Sequence, residues 1–442
     1  MVPRSTRSFR CSVRHVWGER GRLIACVLGA SAALAVGFAA PAPAAPVATC
    51  GKVLPPLSGA YLGASGLGSS ELAAFEQRAG RRLSWVAFSQ PWSRGLAFPR
   101  QRILAIWRHG AVPYVSFLPT STAFVPGRSA GGPERRYTLE RIAAGDFDRQ
   151  LTAWARAARA LGVPLLLSFG ADVNEDWGPW NGRWNGAGET EAYGDLDTLD
   201  GAERYRDAYR HLVRVFHSEG AQNVSFVFSV DAGPSSAEWN AARLYYPGDA
   251  FVDWLAISAY GSLEPGAAVV PFARRLADSG VYASLTRVSR RPLAVVAGTV
   301  DDSALGKAAW IRDAFRALRS DRYARVKAAV WSAGAAATRV DAPVAALASF
   351  RAGVARSRFS GRARFAGDCR PPPPARIYAT PVRPGLIRVG WSPVRVASSY
   401  EVYRDGKLLA VTKRTTWLDT TAGQARRHTY TVRAVDPGGR SV

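Results

Sequence analysis

Residues 167–180 read LSFGADVNEDWGPW. The apolar residues Val163, Pro164, Leu165, Leu166 and Leu167 lead into this stretch and predict a buried strand, Val163 to Phe169. The strand runs out at Gly170, and a polar segment follows: the carboxylates Asp172, Glu175 and Asp176, with Asn174 between them, then Trp177 and Trp180. Chemistry-bearing side chains gathered just past a strand end are the arrangement by which barrel enzymes build their sites.

Outward from this strand, from Leu57 to about Phe350, short apolar runs alternate with amphipathic stretches. The predicted strands are Ser58 to Leu62, Leu83 to Phe88, Ala111 to Ser116, Val163 to Phe169, Val224 to Ser229, Trp254 to Ser258, Leu293 to Val296 and Ala328 to Trp331. Helices lie between them, as from Asp148 to Leu161, where Leu151, Trp154, Ala155, Ala158 and Leu161 recur at helical spacing. Eight such units predict an α/β chain with a closed TIM (β/α)8 barrel. An open doubly wound sheet is the runner-up, disfavoured because no glycine-rich phosphate loop follows the first strand.

The ends read differently. In residues 1–45, Arg4, Arg7, Arg10, Arg14, Arg20 and Arg22 precede an apolar stretch from Leu23 to Ala40, with small residues around Ala42, Pro43 and Ala44. This is the pattern of a cleaved signal peptide, with an uncleaved membrane anchor as the alternative. Cys11 and Cys26 would leave with the signal, so Cys50 and Cys369, which bracket the barrel, are the expected disulfide of an exported protein; a lipid-modified Cys50 is the other reading. The net charge is +24, and residues 1–45 hold six of the arginines and one glutamate, leaving about +19 in the rest. Only five residues are Lys, and the arginines are scattered without an aromatic-interleaved stripe. That balance predicts attraction to anionic surfaces or acidic polysaccharide rather than nucleic acid. His109, His211, His217 and His428 show no metal-ligand spacing, and neither a serine elbow nor a nucleotide loop occurs, so no metal and no cofactor are expected.

The barrel is expected over residues 46–350, followed by a Pro-rich linker, 351–376, which ends in Pro371 to Pro374. Residues 377–442 alternate apolar and polar positions over short strands. Trp391, the YEVYRDGKLL segment at 400–409 with its turn at Asp405 and Gly406, and Tyr430 resemble a fibronectin type III module. The resemblance implies a small all-β immunoglobulin-like sandwich that spaces or docks.

Blocks along the barrel resemble glycoside hydrolase family 26, best known for endo-β-1,4-mannanases. They are GAYLG at 59–63, AAGDFD at 143–148, VNEDWGPW at 173–180, LYYPGDAFVDWLAISAYG at 244–261, RPLAVVAG at 291–298 and KAAWIRDAF at 307–315. The resemblance implies a retaining mechanism with two carboxylates about 5–5.5 Å apart, one an acid/base and the other a nucleophile. In the family the fourth strand ends in His-Glu-Met-Asn-Gly, and here Ala171, Asp172, Val173, Asn174 and Glu175 stand in that frame. Asp172 therefore occupies the acid/base position with an arm one methylene shorter. Family members read Pro-Ile-Met-Ile-Ala-Glu at the seventh strand, with the Glu as nucleophile. This chain has Pro292, Leu293, Ala294, Val295, Val296 and Ala297, so Ala297 stands where the nucleophile belongs, and sliding the frame by one residue gives only Val296 or Gly298. Glu175 is an alternative acid. Asp301 and Asp302 read as helix-capping residues in the next loop, and Asp249 and Asp253 as structural.

The sugar-holding residues expected are Trp177, Trp180 and Trp184 on the loop after the fourth strand, together with Asn174, Tyr260, Trp331 and Trp92. The sequence thus predicts an exported, secreted or cell-surface, monomeric barrel that binds a mannan-like, glucan or acidic exopolysaccharide chain and hydrolyses it poorly or not at all. The rival is an active endo-glycosidase using Asp172 or Glu175 with a second carboxylate not evident in the sequence. A third reading is a scaffold or adhesion protein whose cleft is vestigial.

Overall fold

The computed structural model describes residues 11–12, 50–122, 132–233, 237–262, 267–300, 304–334, 338–423 and 427–442. The chain forms two compact units, one spanning Thr49–Cys369 and the other including Arg370–Val442. The leader reading for residues 1–45 and the capping reading of Asp301 and Asp302 lie outside the described residues, Cys11 and Ser12 apart. Among the described residues no helix is long and apolar enough to cross a membrane.

The first unit is a closed barrel of eight parallel strands: β1 (Ala60–Ser65), β2 (Trp85–Pro91), β3 (Val112–Leu118), β4 (Leu165–Phe169), β5 (Val224–Asp231), β6 (Trp254–Tyr260), β7 (Leu293–Gly298) and β8 (Val326–Ser332). Each strand pairs with the next in chain order, and β8 closes on β1 with Ala328 opposite Tyr61 and Ser332 opposite Ser65. The eight predicted strands all appear, with ends shifted by a few residues. Helices cover the outside; that of Asp148–Leu161 buries the stripe Leu151, Trp154, Ala155, Ala158 and Leu161 and ends at Gly162, whose φ of 69° suits a left-handed cap.

Alternation along the strands sorts side chains into inward and outward rows. Inward at the base lie Tyr61, Trp85 and Trp254, with the two indoles edge-to-face at 4.8 Å. A two-stranded ribbon of Cys50–Leu54 and Arg364–Gly367 plugs this end. Its carbonyls satisfy the polar tips of the barrel aromatics: Tyr61 Oη donates to Leu54 (2.8 Å) and Trp254 Nε1 to Val53 (2.8 Å). Lys52 adds an ion pair to Asp253 at 2.8 Å, and Asp253 also accepts from the Phe226 amide, consistent with a structural role. A disulfide between Cys50 and Cys369 joins the ribbon's ends.

The structure corrects the barrel's C-terminal boundary. Residues 351–356 continue the last barrel helix, Val344–Arg356; Phe359 and Ser360 then pair with β1, and Arg364–Gly367 completes the plug. The expected linker over 351–376 therefore belongs mostly to the barrel unit, which runs to Cys369. The second unit holds two antiparallel sheets. One contains Ile377–Arg383, Leu386–Trp391 and Thr416–Asp419, and the other Ser399–Arg404, Lys407–Thr412 and Thr429–Asp436. Val389, Trp391, Tyr400, Val402, Tyr430 and Val432 form its core.

The disulfide closes a separation of 319 residues and so limits the unfolded chain strongly. A Cys50→Ser/Cys369→Ser double variant should lose about 2–5 kcal/mol of stability. Thermal melts of the full chain would show this as a Tm several degrees lower; an unchanged Tm would mean that the plug holds without it.

Candidate active-site cavity

At the C-terminal ends of the strands lies a cavity of about 570 Å³, within the size range of small-molecule and sugar sites. The inward rows dictate its lining. One step above the apolar layers the strands carry hydroxyls: Ser65 on β1, Ser89 on β2, Ser116 on β3, Ser229 on β5, Ser258 on β6 and Ser332 on β8 all line it. Ser168 on β4 is buried behind them and donates to Ser116 Oγ at 3.0 Å. Tyr114, Tyr260, Trp177, Arg102 and Asp172 complete the functional part of the wall. This hydroxyl layer was not anticipated, although its signal is present: a serine two residues past an inward apolar residue on strand after strand.

Asp172 lies just past the end of β4 and lines the cavity. Gly170 and Asp172 both have left-handed backbones, with φ of 56° and 54°, and Asp tolerates that region better than most residues. The turn aims the carboxyl inward, where Oδ1 accepts from Ser258 Oγ (2.7 Å) and Ser229 Oγ (3.0 Å). Burial pushes its pKa up, and the two hydroxyls pull against that shift.

The remaining expectations divide. Trp177 lines the cavity, its ring 5.1 Å from Trp180 and nearly perpendicular to it. Tyr260 also lines it, its phenol pushed up by burial. Trp180 does not: it is buried, its Nε1 donates to the Ala171 carbonyl at 2.9 Å, and its ring fills the space beside Gly170 and Gly178. It braces the Asp172 turn instead of meeting a sugar. Trp331 is corrected for a reason of parity, since Val330 and Ser332 face inward and Trp331 faces out, stacked on Phe315 at 4.6 Å. Trp92 is buried among Phe117, Tyr137, Phe147 and Phe169. Trp184 is outside the cavity lining, its ring under the Arg183 guanidinium at 5.1 Å. Asn174 is a lock between loops: its amide exchanges hydrogen bonds with the Asp231 backbone at 2.9 and 2.8 Å, and it is buried.

Ala297 is corrected in the same way as Trp331. It lies in the outward row, paired with Ala259 and Trp331, and is fully buried there. The inward positions at the end of β7 are Val296 and Gly298, and a Cβ at 298 would lie 2.8 Å from the Ser332 Cβ and 3.3 Å from the Tyr260 ring. No inward position at the end of β7 carries a carboxylate, and Tyr260 and Ser332 crowd the last of them. Among the described residues that line the cavity, Asp172 is the only carboxylate.

Asp231, at the end of β5, is the acidic residue that sequence reasoning missed, because the predicted strand stopped two residues short at Ser229. Its carboxyl interacts directly with that of Glu175, and the two titrate as a pair. Burial first, then the Asp172 and Glu175 charges, drive Asp231 well above the usual carboxylate range, and Glu175 is raised as well, mainly by burial. Neither lines the cavity. Among the described residues no group of three or more His, Cys, Asp and Glu is placed to hold a metal ion.

Residues 145–335 match the model of glycosyl hydrolase family 26. Endoglucanase H of Acetivibrio thermocellus is 26% identical over 287 residues; the match covers 64% of this chain but only 28% of that relative. The catalytic domain of the Bacillus sp. JAMB-750 family 26 endo-β-1,4-mannanase has the same fold, at a TM-score of 0.50 and 15% identity, over 68% of this chain and 87% of that one. A Cellulomonas fimi endo-β-1,4-mannanase double mutant aligns at a TM-score of 0.49 and 18% identity, over 86% of this chain and 92% of its own.

Above the ordinary values of 3.8 and 4.5, the native state binds more protons than the unfolded chain at Asp172, Asp231 and Glu175. These groups therefore make stability fall as pH rises from about 4 toward their raised native values. Asp231→Asn should raise the Tm at neutral pH and flatten the decline that sets in above about pH 4. Melts of the two proteins across that range check this, and parallel curves would contradict the paired titration.

Proposed function

We propose that this is an exported glycan-binding barrel of the family 26 type that holds a mannan- or glucan-like chain over Trp177 and the hydroxyl layer and cleaves it poorly or not at all. The observation that carries the proposal is the end of β7. By the family 26 resemblance a retaining mechanism needs its second carboxylate there, yet Gly298 holds the inward position with Tyr260 and Ser332 against it, and Ala297 lies in the outward row. Asp172 alone is half of a pair. Trp177 offers an aromatic face and the serines offer hydroxyl donors and acceptors, which suits pyranose binding. The Cys50–Cys369 disulfide fits an oxidising compartment, and hence the leader reading of residues 1–45. The C-terminal unit we read as a fibronectin type III-like spacer or docking module, because two small antiparallel sheets enclose a core with Trp391 and Tyr430.

A second reading, an active endo-glycosidase, takes its support from Asp231. With Glu175 and Asp172 it gathers three carboxyls near one strand end. Against it, Asp231 and Glu175 are paired with each other outside the cavity wall.

Calorimetric titration with mannohexaose and cellohexaose, with reducing-end assays in parallel, separates the readings. Saturable binding that weakens at least about tenfold in Trp177→Ala, with no sugar released, is expected, since loss of a stacked ring costs on the order of 1–3 kcal/mol. Release that disappears in Asp172→Asn would establish the active enzyme instead.

A further inference from the structure

Arg102 is the cation of the cavity wall. It lies in the first turn of the helix Arg100–His109, and its guanidinium carbon sits 4.1 Å from the centre of the Phe88 ring, the residue preceding Ser89 at the upper end of β2. The ring holds one face of the guanidinium by a cation–π contact and fixes its plane. Its hydrogen bonding is sparse: Nη2 donates to the Leu67 carbonyl at a long 3.4 Å, and among the described residues Arg102 makes no ion pair. Burial lowers its pKa, with no carboxylate acting in the other direction. Most of the arginine's five N–H donors thus remain to be satisfied beside a cavity lined by hydroxyls. The side chain is only half-buried, so water can meet these donors in the cavity, and the planar fork matches an incoming carboxylate or sulfate bidentately.

Among the described residues the one carboxylate in the wall is Asp172. Its carboxyl is already engaged by two serine hydroxyls of β5 and β6. At longer range the chain's net charge of +24 draws anionic polymers toward the protein.

We propose that the cavity selects an anionic sugar, with Arg102 gripping the oxyanion of a uronosyl carboxylate or a sulfate ester while Trp177 and the serine layer hold the pyranose rings. This rests on the glycan-binding reading above and narrows its ligand class.

The test is titration of the full-length protein, at low salt, with three hexasaccharides on one backbone: a hexauronate, its carboxyl-reduced neutral counterpart, and the sulfated form of that counterpart. The expected result is at least about tenfold tighter binding of one acidic form than of the neutral one, the scale of a charge-assisted hydrogen-bonded pair. Arg102→Gln should bring that ratio close to one, and Arg102→Lys, which keeps the charge but not the fork, should leave it in between; melts confirm that each variant is folded. The acidic form preferred identifies the oxyanion as carboxylate or sulfate. Equal binding of acidic and neutral forms, or a preference that survives Arg102→Gln, overturns the proposal while glycan binding stands. Failure of all three to bind removes both.

Discussion

The pairing of β8 with β1 is the constraint from which the site follows. Once Ala328 stands opposite Tyr61 and Ser332 opposite Ser65, the sheet has no edge, and every strand must send alternate side chains into one closed interior. The base fills with Tyr61, Trp85 and Trp254, and the ribbon carrying Cys50 seals it. The upper end is left to the residues that happen to be inward there. In this chain they are mostly serines, with a tyrosine from β6, a glycine from β7 and an acid just past β4.

This geometry also bears on the proposal that the cavity binds without cleaving. A carboxylate past β4 can be held by any hydroxyls that face it, and Asp172 is held by Ser229 and Ser258. The second carboxylate of a retaining glycosidase has no such freedom, because it must stand about 5–5.5 Å from the first, and the resemblance to family 26 would place it at the end of β7. There the inward residue is Gly298, and added side-chain atoms would collide with Ser332 and Tyr260. Losing the acid alone would weaken an enzyme; closing the opposite wall changes what the cavity can do.

Much of this was legible in the residues, and the failures have a common cause. The eight strands announce themselves because each is an apolar run bounded by turn chemistry, and the Asp148–Leu161 helix because its stripe repeats at 3.6 residues. The place of Asp172 in the cavity wall was also legible, since it follows directly on the fourth apolar run. What misleads is parity. Trp331 and Ala297 lie at strand ends, and only the register shows that both belong to the outward row. Trp92 and Trp180 illustrate a second ambiguity, because a large aromatic fills a core as readily as it lines a cleft. Asp231 escaped notice because β5 runs two residues further than its apolar pattern, and the barrel's end because the short plug strands carry almost no periodic signal.

The central claim is that the cavity holds an intact sugar chain and that β7 contributes nothing to cleaving it. A crystal structure of the protein soaked with a gluco- or manno-hexasaccharide tests both parts at once. The account predicts an uncut chain with a pyranose against Trp177, hydroxyls within reach of the serine layer, and no carboxylate at bonding distance from an anomeric carbon opposite Asp172. A cleaved or covalently attached sugar, or a chain bound away from Trp177, would contradict it.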